Sequence, residues 1–125
     1  MNPLTCIAID DDVLFLKSLQ AYLSKIALID LKQTFTNPVQ GAKGILQIKP
    51  DLIFTDYEMP LVDGDYLIDW IKPNIDRMDK RPVIILVSAV DRPPQTLLDN
   101  VDWFIRKREV RDAASLENQL RTLIK

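Results

Sequence analysis

The residues of this chain that could do chemistry stand at the ends of apolar runs. Residues 4–9 stop at Asp10, Asp11 and Asp12, and Leu52, Ile53 and Phe54 lead through Thr55 to Asp56. Residues 83–87 end in Ser88, and residues 101–106 lead into Lys107. Runs of this kind suit strands buried on both faces. A parallel sheet gathers their carboxyl ends at one edge, where open α/β sheets collect ligands. Carboxylates crowded there repel one another unless protons or a divalent cation offset the charge. Magnesium suits an all-oxygen ligand set and keeps several waters that a phosphate can displace. The Lys107 ammonium and the Ser88 hydroxyl then complete a pocket for a phosphoryl group.

The chain contains no histidine. Ser-His-Asp and Cys-His catalysis, His-ligated metals and a phosphohistidine carrier role therefore drop out, leaving carboxylate, hydroxyl and amine chemistry. Each residue also has a plainer reading. An acid at a strand–helix junction is ordinarily an N-cap, but a triplet in register with Asp56 asks for more. Ser88 alone would be a strand-end hydroxyl, Phe104 alone core packing, and Arg106-Lys107-Arg108 a solvated basic face. Trp70 and Trp103 carry no reading beyond packing or an interface.

The elements that must position these groups follow from periodicity. After the first strand, Val13, Leu14, Leu16, Leu19, Leu23 and Ile26 recur at helical spacing, with Asp11 or Asp12 placed to cap the first turn. Residues 28–36 form a weaker second strand interrupted by Asp30 and Lys32. Pro38 opens a second helix carrying Val39, Ala42, Ile45, Leu46 and Ile48, and Pro50 closes it. Pro60 and Gly64 make 57–64 a loop beyond Asp56. Tyr66, Leu67, Trp70 and Ile71 give a third helix, and 74–82 a long polar surface linker. The branched run at 83–87 suits a central strand. Residues 93–100 leave room only for a short fourth helix on Leu97 and Leu98. Residues 101–106 are the fifth strand, and 113–124 a fifth helix with Leu116, Leu120, Leu123 and Ile124 as its stripe. Five strand–helix alternations imply an α/β, doubly wound, five-stranded parallel sheet of the flavodoxin-like form, strand order 2-1-3-4-5.

The segments IAIDDD, IFTDYEMPLVDG, IILVSA and WFIRK, in that order, resemble the receiver domain of two-component response regulators, the CheY-like fold, over essentially the whole chain, 1–125. The resemblance implies that Asp10 and Asp11 hold Mg2+ and that Asp56 is the nucleophile that becomes an aspartyl phosphate. It makes Glu58 the source of a metal-ligating backbone carbonyl, Ser88 the switch hydroxyl, Phe104 the switch aromatic and Lys107 the phosphate partner. Asp56 would attack phosphorus in line, with magnesium bridging its carboxylate and the phosphoryl oxygens, against a barrier that is mostly positional and electrostatic. The donor would be a phosphohistidine on a histidine kinase or phosphotransfer protein. A product charge of roughly −2 would recruit Ser88 and Lys107, let Phe104 fill the space Ser88 vacates, and repack the surface of fourth helix, fifth strand and fifth helix. Homodimerisation through that face is a further implication.

Three departures from the family pattern stand out. Arg108 replaces the proline that usually follows the lysine. Because a non-proline cis bond costs roughly 2.5–4 kcal/mol, the bond here is predicted to be trans and the following loop shifted. The stretch between Ser88 and Lys107 is short, which trims the fourth helix. Glu58 adds a negative side chain two residues beyond Asp56.

Two other classes compete. A receiver-like binding module would never turn over phosphate. An aspartate-nucleophile phosphatase of the haloacid-dehalogenase type would use Asp10 as nucleophile and Asp12 as acid. The resemblance implies a phosphoacceptor that catalyses its own phosphorylation and dephosphorylation and is not a dedicated metabolic enzyme. One domain fits 125 residues at 47% hydrophobic composition. A net charge of −2 gives no general affinity for nucleic acid or anionic lipid. Cys6 can form no internal disulfide and suits a reducing compartment, and no run is long enough to cross a bilayer. A cytoplasmic, stand-alone regulator or a piece lacking its effector domain is expected.

Overall fold

The computed structural model describes residues 2–56, Pro73, Met78 and 80–124. Its strands are β1 (Leu4–Ile9), β2 (Ile29–Phe35), β3 (Leu52–Thr55), β4 (Val83–Ser88) and β5 (Trp103–Arg106). Its helices are α1 (Val13–Leu23), α2 (Pro38–Ile48), α3 (Gln95–Leu98) and α4 (Ala113–Ile124), with a 3-10 turn at Lys107–Glu109. The expected third helix, the 57–64 loop with Glu58, and most of the 74–82 linker lie outside the described residues. Hence α3 and α4 are the helices the sequence places fourth and fifth.

The strands make one parallel sheet in the order β2-β1-β3-β4-β5, as the alternation predicts. Successive side chains of a strand point to opposite faces, so each buried run feeds two cores. Cys6 and Ala8 of β1, Phe54 of β3 and Val87 of β4 pack against Leu16, Leu19 and Leu23 of α1 and Leu116 and Leu120 of α4. Ile7 and Ile9, Ile53, and Ile84 and Leu86 pack on the other face against Ala42 and Ile45 of α2 and Leu97 of α3. At this burial each large aliphatic side chain stabilises the fold by roughly 1.5–3 kcal/mol before chain entropy is counted. At Gly44 a Cβ would run into the Phe35 ring, so α2 lies close against the β2 edge of the sheet.

Local chemistry sets the element ends. Asp12 is the N-cap of α1, its side chain accepting from Phe15 N, and Asn37 caps α2 ahead of Pro38 at the first helical position. Lys49 ends α2 in a left-handed conformation, φ 53°. β2 spans Ile29–Phe35 on the sheet edge, and its register with β1 shifts between Leu31 and Gln33, passing over Lys32. That shift leaves Lys32 paired with Asp30 at 2.8 Å in solvent, which explains why the polar residues interrupt the sequence pattern without ending the strand.

The helical periodicity does not by itself report burial. Val13 and Leu14 belong to the helical periodicity, yet they are 50% and 76% exposed, and the buried stripe of α1 is Leu16, Leu19 and Leu23. Val39 and Leu46 of α2 are likewise exposed. Five or six apolar residues over two or three turns exceed what one sheet-facing stripe can hold. Ile26 is buried, but beyond the end of α1. Among the described residues no helix is long and apolar enough to cross a membrane.

Candidate acidic site and the family it belongs to

β1 and β3 are adjacent, and their register pairs Ile9 with Thr55. The next residue on each strand is an aspartate. Asp10 N donates to Phe35 O at 2.9 Å and Asp56 N donates to Ile9 O at 3.0 Å, so both backbones are fixed by the sheet before their side chains act. On the other side β4 and β5 pair Ser88 with Arg106, which sets Lys107 one residue past the sheet edge.

The expected constellation assembles. Carboxylate oxygens of Asp10, Asp11 and Asp56 lie within 4.8 Å of one another. Asp10 and Asp56 are 3% and 5% exposed, while Asp11 stands at the partly exposed rim. Lys107 Nζ is 2.8 Å from Asp10 Oδ2 and 3.4 Å from Asp56 Oδ2. Asp10 Oδ1 also accepts from Asp12 N at 2.9 Å. Burial pushes the Asp10 carboxyl up to about 7, against the hydrogen bonds from Lys107 and Asp12, which pull it down. Burial would lower the Lys107 ammonium, but the Asp10 and Asp56 carboxylates outweigh it and hold Lys107 above its ordinary value. The lysine therefore stays charged and offsets the acids.

Three oxygens so close, two of them nearly dry, are a donor set for a hard divalent cation, with Asp11 left open to water. The residues present fit magnesium on that ground. Glu58, expected to add a backbone carbonyl, lies outside the described residues.

Ser88 is fully buried, and its Oγ accepts from Val90 N at 3.0 Å, which leaves the hydroxyl proton free to be aimed. Phe104 is not in the acidic pocket. It packs with the α2–α3 core, and the Arg106 guanidinium lies over its ring at 5.3 Å. Asp12 is absent from the acid cluster because its carboxylate is occupied capping α1. A 3-10 turn begins at Lys107 itself, and no peptide bond among the described residues is cis, as Arg108 in place of a proline predicts.

Three features escaped the sequence. Phe15 sits under the lysine, with Nζ 4.8 Å from its ring centroid; an aromatic in the first turn of an amphipathic helix carries no signal of its own. Asp91 receives both flanking members of the basic triplet, Arg106 at 3.7 Å and Arg108 at 3.3 Å. Asp51, at the opposite edge of the sheet, accepts from both the N and Oγ1 of Thr5, at 2.9 and 3.1 Å. Only a three-dimensional register reveals the last two.

The family model of the response regulator receiver domain matches residues 6–119. The chain belongs to that family. An uncharacterized response regulatory protein of Vibrio vulnificus is 34% identical over 89 residues, covering 71% of this chain and 35% of that protein. A protein-glutamate methylesterase/protein-glutamine glutaminase of Hahella chejuensis is 32% identical over 99 residues, 79% of this chain and 24% of that protein. The receiver domain thus spans well under half the length of these curated relatives. Among solved structures, the signal receiver domain of NarL from Mycobacterium tuberculosis superposes with a TM-score of 0.81 at 19% identity, covering 98% of this chain and 96% of that one. The isolated REC domain of RcsB from Salmonella enterica serovar Typhimurium, solved with phosphomimetic BeF3−, gives 0.82 at 21% identity, covering 98% and 89%. Both likenesses establish the flavodoxin-like receiver fold. As a receiver domain the chain implies a phosphodonor partner from a two-component system.

Proposed function

We propose that this receiver domain takes a phosphoryl group onto Asp56 from a histidine kinase or phosphotransfer protein in the cytoplasm. The observation that supports it most is the pair of nearly dry carboxylates, Asp10 and Asp56, bridged by one ammonium at 2.8 and 3.4 Å. An Asp56 oxygen forms the new bond to phosphorus as the donor's bond to phosphorus breaks, and the donor leaves with that electron pair. Asp10, Asp11 and Asp56, with the Glu58 carbonyl, are the residues that would hold Mg2+, which when bound would neutralise and orient the phosphoryl oxygens. Lys107 exchanges its carboxylate partners for a phosphoryl oxygen. The Ser88 hydroxyl, whose oxygen is already engaged by Val90 N, donates its proton to another.

Moving Ser88 makes room for Phe104, and the face formed by α3, β5 and α4 becomes the output, with pairing of two copies through it as one outcome. The one-turn α3 leaves that face narrow. The phosphatase alternative needs Asp12 as an acid, and Asp12 instead accepts from Phe15 N at 3.1 Å. The binding-module alternative predicts no response to a phosphoryl donor. Incubation with Mg2+ and acetyl phosphate, followed by intact mass, separates them. One added phosphoryl group that is lost in Asp56→Asn supports the proposal. Labelling that depends on Asp10 but survives Asp56→Asn points to the phosphatase, and no labelling to the inert module.

A further inference from the structure

The basic triplet Arg106-Lys107-Arg108 is only one-third accounted for by the acidic pocket. Its outer members meet instead at Asp91, three residues after Ser88. Arg106 Nε donates to the Asp91 carbonyl at 3.2 Å and lies 3.7 Å from its carboxylate, and Arg108 reaches the same carboxylate at 3.3 Å. Glu109 steadies Arg106 from behind, at 3.5 Å from its terminal nitrogen, while also accepting from Arg106 N. The Arg106 guanidinium covers the Phe104 ring.

We propose that Asp91 and Arg106 form a clasp that acts as a brake on the switch, holding the loop after β4 against β5 until phosphorylation pulls it away. The inference rests on the phosphoacceptor reading of Asp56. Ser88 and Arg106 are partners across β4 and β5. The Ser88 oxygen is tied to Val90 N, and Val90 is joined to Asp91. Swinging Ser88 toward a phosphoryl group on Asp56 drags residues 89–91 with it and strains the Arg106 contacts. Breaking them also removes the guanidinium from Phe104, so the hydroxyl and the aromatic ring are released together. Each exposed ion pair is weak. One arginine shared among a carboxylate, a carbonyl, a second acid and a ring is a small network, and a switch is poised finely enough for a small bias to shift its populations. Arg108, which stands where the family has proline, adds a second grip on Asp91.

The test compares Asp91→Ala, Arg106→Gln and Arg108→Gln with the unaltered chain, using amide hydrogen exchange at residues 89–92 without ligand and BeF3− titration in Mg2+ followed by heteronuclear NMR. The clasp predicts faster exchange at Val90 in all three. It predicts BeF3− binding tighter by roughly three- to tenfold in Asp91→Ala and Arg106→Gln, and about twofold in Arg108→Gln. Asp91→Ala and Arg106→Gln combined should gain little over either alone. Tightening in Arg106→Gln is decisive, because loss of a positive charge near an anion site would by itself weaken binding. Unchanged exchange, or BeF3− binding equal to or weaker than that of the parent chain, overturns the brake. If exchange speeds up but the unaltered chain takes no BeF3−, the Asp56 reading fails and the brake with it, while the contact between loops stands.

Discussion

Lys107 is closer to Asp10 than to Asp56, 2.8 Å against 3.4 Å. In the unphosphorylated chain the lysine therefore serves as internal counter-ion for the acid expected to bind metal. A divalent cation at Asp10 must compete with it, and the ammonium so released is already beside Asp56. On the proposed function, one residue would thus link metal loading at Asp10 to the readiness of Asp56 for a phosphoryl group.

Replacing that counter-ion exposes the cost of the acid cluster. Lys107→Met should destabilise the metal-free protein by about 2 kcal/mol. This is less than a fully buried broken pair would cost, because the lysine side chain is 15% exposed and Asp10 can take up a proton. Millimolar Mg2+ should recover most of the loss. Urea unfolding with and without Mg2+ measures both, and a loss indifferent to Mg2+ contradicts a shared cation site.

Asp11 should separate metal binding from folding. It stands at the partly exposed rim of the cluster, so Asp11→Asn is expected to leave stability within about 0.5 kcal/mol. Mg2+ affinity should nonetheless fall tenfold or more. Isothermal titration with Mg2+ reads the second quantity.

At the opposite edge, Asp51 ties β3 to β1. The Thr5 N–H donated to its carboxylate, aided by Lys80, holds its pKa below the ordinary carboxylate value, against the smaller opposing effect of burial. A carboxyl whose pKa is lower when folded contributes stability that is fully present above its unfolded value of about 3.9 and is lost as pH falls through the folded value. Asp51→Asn should therefore cost about 1 kcal/mol at neutral pH, a figure kept small by the site's partial exposure. The difference from the parent chain should shrink as the pH drops below 4. Chemical unfolding at pH 7 and pH 3 checks the sign.

The exposed start of α1 offers a contrast within one helix. Leu14→Ser should change stability by no more than about 0.5 kcal/mol, whereas Leu16→Ala should cost about 2–5 kcal/mol, because Leu14 is 76% exposed and Leu16 4%. Thermal unfolding of the two variants compares them directly.

The sheet order and the meeting of Asp10, Asp11, Asp56 and Lys107 were legible in the sequence because apolar runs of strand length each ended in a group with chemistry, and parallel topology forces such ends together. The α1 periodicity marks a helix without showing how wide its sheet-facing stripe is, so the exposure of Val13 and Leu14 beside buried Leu16 is visible only in the fold. Phe15, Asp51 and Asp91 were invisible for a different reason. Each acts through a partner far away in sequence, Lys107, Thr5 and Arg106 respectively, and only the register of the strands brings them together.

The central claim is that Asp56 carries the phosphoryl group. Borohydride reduction after exposure to Mg2+ and acetyl phosphate converts an acyl phosphate on an aspartate to homoserine, and peptide mapping locates it. Conversion at Asp56, absent without donor and absent in Asp56→Asn, is the predicted result. Conversion at Asp10 or Asp11, or none at any aspartate in a folded and Mg2+-binding protein, would contradict it.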